Sequence, residues 1–245
     1  MITVASWNVL HRVHAENWGS DIATHWPDEA ARIAAVTAWV ADRTEQVIAL
    51  QEVSGDQLAS LRLALPGKDI HALRYPRVPR PHSGTSPLRD RTEHLVLVVD
   101  GPGREVAAES FENDPGNGAL AVETADMVII ATHVTGDPRR TRQLARLAEL
   151  ATQDRATVLL GDFNIDRDTV AAALGPAFTI ADLAPDSVPT RPRISDTKSQ
   201  FIDHVIARGA VVENAAVENV AGISDHNYVH ATVLESLVAQ HIPPN

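Results

Sequence analysis

Six short stretches of the chain couple an apolar run to a carboxylate, amide or imidazole: SWNVL (6–10), LQEV (50–53), THV (132–134), GDFN (161–164), FIDHV (201–205) and SDHN (224–227). Glu52, Asp162, Asp203 and Asp225 supply four carboxylates, the hard oxygen ligands that Mg²⁺, Mn²⁺ or Ca²⁺ take. Asn8 and Asn164 are neutral groups able to fix a carboxylate, a water or a phosphate oxygen. His133 and His226 can donate protons to phosphate oxygens or shuttle them. Carboxylates alone would repel a phosphate, so metal and imidazolium charge must counter them. The set makes sense around a phosphoester and poorly around an apolar substrate. Singly, each stretch is ordinary: Asp162 reads equally as a turn former, His133 as a satisfied core histidine, and Asp225-His226 as a chance pair. Their joint occurrence, in this order, carries the chemistry.

These residues need elements to hold them, and they fall just past strand ends, where strand-built scaffolds display functional side chains. Residues 2–7 alternate in the manner of a strand. Residues 27–43 carry helical periodicity, opened by Pro27 and two acids in the first turn. A short apolar run at 46–51 reads as a buried strand, and 54–65 as a helix that stops at Pro66-Gly67. Strands are predicted near 93–99, 104–111, 118–123 and 126–131, the last two joined at Thr124-Ala125. A helix over 138–152 places Leu144, Leu147, Ala148 and Ala151 on one face. A buried strand at 157–161 and a short helix at 167–174 follow. After a loop bearing Pro and Arg at 185–198, strands are predicted near 200–206, 211–218 and 227–234. The tail over 236–245 is expected to be poorly ordered beyond His241. Several strands are continuous apolar runs, covered on both faces. Two packed sheets with helices outside fit this mixture, and periodicity alone allows a single doubly wound sheet too.

The 245 residues permit one large domain or two small ones, with ample chain to bury a core. Hydrophobic and charged fractions of 44% and 22% are ordinary for a soluble globular protein. No run of about 18 apolar residues marks a membrane span. The amino terminus lacks a basic, then apolar, then small-residue signal, so the expected location is cytoplasmic. The chain has no cysteine, which excludes disulfides and thiolate metal sites. A net charge of -11 argues against a nonspecific grip on nucleic acid. That argument is weak, because a carboxylate-rich metal site adds negative charge that bound cations offset.

The order WN, QE, TH, GDFN, ID, SDH resembles the endonuclease/exonuclease/phosphatase superfamily, the deoxyribonuclease-like fold, over residues 6–227. GDFN and the terminal SDH are the most specific elements of the match. The resemblance implies a single catalytic domain over 1–245, an α/β fold built as a four-layer α-β-β-α sandwich of two facing mixed sheets with outer helices. It implies hydrolysis of a phosphoester by an activated water, with no covalent enzyme intermediate. Glu52 resembles the main metal ligand, supported by Asn8, and Asp225 a further metal-site carboxylate. Asp162 and Asn164 resemble the pair that positions the attacking water and the phosphate. Asp203 resembles the carboxylate that orients and charges His226. His133 is similar to the histidine that contacts the phosphate or leaving oxygen in the deoxyribonuclease, sphingomyelinase and inositol-phosphatase branches. Glu93 sits where those branches often keep an acid that pairs with this histidine. The branch that repairs abasic sites has a tyrosine where His133 stands, which sets that activity aside. The last motif runs SDHNYV rather than the usual SDHxPV, so the proline that stiffens the turn is missing.

Substrate is the least legible property, because fold does not choose among phosphoesters. The stretch 74–92 has four prolines and five arginines and reads as a long exposed loop. Arg74, Arg77, Arg80, Arg89 and Arg91 on that loop, and Arg139, Arg140 and Arg142 near the start of the helix after His133, are candidates for a phosphate clamp, since guanidinium matches phosphate oxygens. Each fits a solvated surface equally well. The first expectation is a phosphodiesterase or phosphatase acting on a small or terminal phosphoester. The second is an endonuclease or exonuclease cutting DNA or RNA. The third is a catalytically silent phosphate- or partner-binding module, against which the intact polar set speaks. The expected cofactor is Mg²⁺, with Mn²⁺ or Ca²⁺ as alternatives.

Overall fold

Alternation along the strands decides the architecture, in a computed structural model that describes residues 1–151, 155–192 and 199–235. The strands are β1 (Ile2–Asn8), β2 (Val47–Ser54), β3 (Asp69–Arg74), β4 (Glu93–Val99), β5 (Arg104–Phe111), β6 (Asp114–Glu123), β7 (Val128–His133), β8 (Thr157–Asp162), β9 (Phe178–Ile180), β10 (Asp203–Arg208), β11 (Ala210–Glu218) and β12 (Tyr228–Glu235). The helices are α1 (Arg12–Asn17), α2 (Asp21–His25), α3 (Glu29–Ala41), α4 (Gly55–Ala64), α5 (Arg140–Leu150) and α6 (Arg167–Leu174). One six-stranded sheet has the order β11-β12-β1-β2-β4-β3, and the other β5-β6-β7-β8-β10-β9. Each is mixed: β1 runs parallel to β2, and β7 parallel to β8, while the remaining pairs are antiparallel.

Alternate residues of each strand face opposite sides, so each sheet has two apolar faces to cover. Ile2, Val4, Leu95 and Leu97 of the first sheet pack with Leu120, Ile129, Leu160 and Val205 of the second in one central core. On the outer face of the first sheet, Trp7, Ile48, Leu50 and Val96 meet Val36 and Val40 of α3 and Leu58 and Leu61 of α4. On the outer face of the second, Ile130, Leu159 and Ile206 meet Leu144 and Leu147 of α5 and Val170 of α6. The layers are thus helix, sheet, sheet, helix, and the doubly wound alternative falls away. No helix among the described residues is long and apolar enough to cross a membrane.

The predicted elements at 2–7, 27–43, 46–51, 54–65 and 93–99 appear within a few residues of their expected bounds, as do those from 104 to 131 and from 157 to 174. Four elements were not expected. Helices α1 and α2 are only six and five residues long, too short for apolar periodicity to show. Each starts on a side-chain cap instead: His11 accepts from the Val13 N–H and Ser20 from the Ile22 N–H. Strand β3 is an edge strand whose half-buried Asp69 and His71 hide its pattern, and β9 has only three residues. The 74–92 stretch has no regular element beyond β3, as expected, but it is not wholly exposed. Tyr75 and Leu88 are buried, and Asn17 and Asp56 pin its backbone at Arg80, His82, Arg89 and Asp90. The tail over 236–245, residue 152 of the expected helix, and residues 193–198 of the expected loop lie outside the described residues.

Candidate active-site cleft

The alternation that builds the central core also aims the polar residues. On β1, Ile2 and Val4 enter the core, and two-residue steps carry that face on to Ser6 and Asn8. The same parity takes Leu97 and Leu95 of β4 to Glu93, Ala131 of β7 to His133, Leu160 of β8 to Asp162, and Val205 of β10 to Asp203. Register places His133 and Asp203 on either side of Asp162 in the second sheet. At one end of the sandwich the space between the sheets therefore changes from apolar to ionisable.

Glu52 needs a different device. Simple alternation would send it, with Ile48 and Leu50, to the face under α3 and α4. The β2–β4 pairing instead slips between Leu50 and Val53, and Glu52 takes a left-handed φ of 57°. This bulge returns Val53 to the helix-covered face and redirects Glu52. Leu10 and Asn164, at φ 58° and 54°, hold the same costly conformation beside the site. GDFN needs its glycine for another reason: a Cβ on Gly161 would lie 2.1 Å from the Thr132 carbonyl oxygen.

Asn8 joins the two sheets. Its Nδ2 donates to Glu52 Oε1 at 2.9 Å and to Asp162 Oδ2 at 3.1 Å, while its Oδ1 accepts from the Leu10 N–H. The second Glu52 oxygen accepts from the His11 N–H at 3.0 Å. Asp162 Oδ1 accepts from the Asn164 N–H at 2.8 Å, and Asn164 Nδ2 donates to the Val134 carbonyl and lies 3.3 Å from His133 Nε2. His226 Nδ1 faces both oxygens of Asp203, at 3.1 and 2.9 Å, and its Nε2 lies 3.7 Å from Asp162 Oδ2. His133 Nε2 is 3.6 Å from the same oxygen.

The SDHN turn that delivers His226 is fastened without a proline. Ser224 donates to the Asn8 carbonyl, Trp7 Nε1 to the His226 carbonyl, and Asn227 both receives the Val220 N–H and donates to the Pro189 carbonyl. Buried Arg32 of α3, paired with Glu29, donates to the carbonyls of Val9, Leu10 and Ile223, tying the turn to the loop after β1.

These groups line or underlie a cleft of about 230 Å³. Glu52, Asp162, Asn164, His133, Asp225 and His226 line it, as do Glu93 and Arg139. Asn8 and Asp203 stand buried behind them. Other expected contacts differ. Glu93 pairs with His14 Nε2 at 3.2 Å rather than with His133, because α1 brings His14 over the end of β4. Asp225 Oδ2 pairs with Arg191 at 3.0 Å, and Asp225 belongs to neither group with metal-ligand spacing described below. Arg89 lines a separate groove with Asp56 and Glu29, and Arg91 is not among the lining residues of the cleft. The guanidinium groups that do line it, among the described residues, are Arg77, Arg139 and Arg191. Arg77 and Arg139 flank Asp114, at 3.9 and 3.2 Å. His14, Trp18, Asp114 and Arg191 carried no motif; Arg77 was one arginine among five in its loop.

Electrostatics divides the cleft. Burial would lower the pKa of His226, but Asp203, Asp162 and Asp225 raise it to about 10, so this imidazole carries a proton at neutral pH. Burial raises the pKa of Asp162, against the opposing pull of His226. Burial would raise Glu52 too, yet His14, His133, the Asn8 amide and the His11 N–H bring it to about 2. Among the described residues, two groups have metal-ligand composition with ligand atoms within 4.8 Å of one another: His14, Glu52 and Glu93, and Asp162, Asp203 and His226. In the second, His226 Nδ1 is already engaged by Asp203. The first fits a cation better, since Glu93 is 1% exposed and its Oε1 has no hydrogen-bond partner.

Comparison with known proteins agrees with this architecture. A model of the "Endonuclease/Exonuclease/phosphatase family" matches residues 5–226. No curated protein matches the chain. Among solved structures, an endonuclease/exonuclease/phosphatase family protein from Bacteroides thetaiotaomicron is 17% identical, with a TM-score of 0.68 over 96% of this chain and 98% of that one. A functionally unknown conserved protein from Enterococcus faecalis is 16% identical, with a TM-score of 0.67 over 96% of this chain and 100% of that one. D. rerio TDP2, complexed with a single strand DNA product, is 14% identical, with a TM-score of 0.65 over 95% and 98% of the two chains. At these identities the structures share the fold, while the family model spans nearly the whole sequence. The chain belongs to the endonuclease/exonuclease/phosphatase family.

Proposed function

We propose that the protein is a divalent-cation-dependent phosphoester hydrolase acting on a small or terminal phosphoester. The observation that carries this reading is the Asn8 amide, which touches Glu52 and Asp162 at once and so binds a cation-holding half of the cleft to a proton-handling half. A divalent cation held on the Glu52 side would supply Lewis-acid polarisation of a phosphoryl oxygen. Glu52 is positioned to hold it, oriented by Asn8 and the His11 N–H. Asp162, its pKa raised by burial, accepts the proton of the attacking water. His226, kept protonated by Asp203, donates to a phosphoryl oxygen as charge develops there. Asn164 and His133 donate from the opposite side, and Arg77, Arg139 and Arg191 orient the substrate through its remaining oxygens.

A second reading, a nuclease working at the end of a strand, is favoured by one feature. Trp18 is 61% exposed at the cleft, and one of its faces stacks on His14, which leaves an aromatic surface in a cleft that Arg77, Arg139 and Arg191 also line. The DNA product bound to D. rerio TDP2 belongs to a protein of the same fold. The discriminating experiment is a panel of bis(p-nitrophenyl) phosphate, nucleotides, sugar phosphates, single-stranded DNA and RNA with Mg²⁺, Mn²⁺ or Ca²⁺. Product release from the small esters, with polynucleotides uncut, is the expected result. Shortening of strands would establish the second reading, and inertness toward every ester would end both.

A further inference from the structure

The half of the cleft beneath α1 holds more than the carboxylate that the hydrolase reading needs. Glu93 is buried, with Oε2 on His14 Nε2 at 3.2 Å and Oε1 without a partner. The phenol oxygen of Tyr75 is also buried and unpartnered, with Glu93 as its strongest charged neighbour. Unsatisfied buried acceptors are rare in folded proteins and mark a missing partner. The Glu52 oxygens each accept one hydrogen bond, leaving lone pairs free.

We infer that His14, Glu93 and Glu52 together ligate one divalent cation, with the imidazole as a direct ligand, and that the site therefore takes a transition ion such as Mn²⁺ or Zn²⁺ in preference to Mg²⁺. This deepens the hydrolase reading and rests on it. Spacing fits: two ligand atoms each about 2.1 Å from one ion stand about 3.0 Å apart at right angles and about 3.4 Å apart in a tetrahedron. The His14–Glu93 separation of 3.2 Å falls between those values. Charge fits as well, because two carboxylates and a neutral imidazole balance a dication. Trp18 stacks on the His14 ring at 4.8 Å with planes 10° apart, which fixes the direction in which Nε2 points. Mg²⁺ keeps an all-oxygen, water-rich shell, whereas imidazole suits the later first-row ions such as Zn²⁺, and Mn²⁺, the weakest of the first-row series, stands between the two.

The test is electron spin echo spectroscopy of the full chain loaded with Mn²⁺, which detects a nitrogen bound directly to the metal. The wild-type protein should show one ¹⁴N coupling, retained in His133→Gln and absent from His14→Gln. Binding of Mn²⁺ to His14→Gln should weaken at least about tenfold, and Mg²⁺ in about hundredfold excess should not displace Mn²⁺ from the wild type. No nitrogen coupling in the wild type, or a coupling lost in His133→Gln instead, would overturn the inference even if His14→Gln fails to fold. If Mn²⁺ binds without nitrogen and ester hydrolysis persists, only the ligation by His14 falls. If no cation binds and no ester is cleaved, the hydrolase reading falls with it.

Discussion

The two halves of the cleft are finished to different degrees. On the second sheet, Asp203 meets His226 through both oxygens and Asp162 is held by two N–H donors. On the first sheet, Glu93 leaves an oxygen bare and Glu52 sits on a strained bulge. A proton-handling group must be complete before substrate arrives, since its protonation state is its function. A cation site must be incomplete until its ion arrives, since the ion is the missing partner. The Asn8 amide is bonded to both halves, which fixes the separation of Glu52 and Asp162.

The largest predicted effect breaks the finished half. His226→Gln should lower kcat by roughly 10²–10⁴-fold with unchanged circular dichroism, as measured on whichever ester the panel identifies. Unaltered turnover would remove His226 from the mechanism.

A smaller effect separates two arginines that the sequence could not tell apart. Arg139→Ala should lower kcat/KM by roughly tenfold, the worth of one charge-assisted hydrogen bond, while Arg89→Ala should stay within about twofold. Equal losses in both would contradict the placement of Arg89 in its separate groove.

The smallest effect is on stability, and it appears at alkaline pH. The pKa of His226 is raised from 6.5 to about 10 in the fold. Its contribution to stability is therefore fully present below 6.5 and is lost as pH rises through about 10. The difference in denaturant midpoint between wild type and His226→Gln should narrow over that interval. A difference that stays constant would mean the imidazole is neutral in the folded protein.

These contrasts also mark what was legible in the chain. Strands β1, β7 and β8 end on Asn8, His133 and Asp162, and β10 begins on Asp203, because two-residue alternation runs uninterrupted into the polar residue, and a reader of sequence can follow it. Glu52 was legible only as a carboxylate after an apolar run, since the bulge that aims it leaves no local signature. The partner of Glu93 was misread because α1, six residues built on a histidine cap, has no periodicity to announce that it carries His14 over the cleft. Arg191 reaches the site from a loop far away in sequence, and long-range placement of that kind is set by packing rather than by spacing.

The central claim is that one cleft performs cation-dependent water attack on a phosphoester. The direct measurement is p-nitrophenol release from bis(p-nitrophenyl) phosphate by protein stripped with chelator and then reconstituted, in the wild type and in Asp162→Asn. The account predicts that stripped wild type is inactive, that Mn²⁺ restores it, and that Asp162→Asn stays inactive at any cation concentration. Turnover that survives chelation, or that returns in Asp162→Asn, would contradict it.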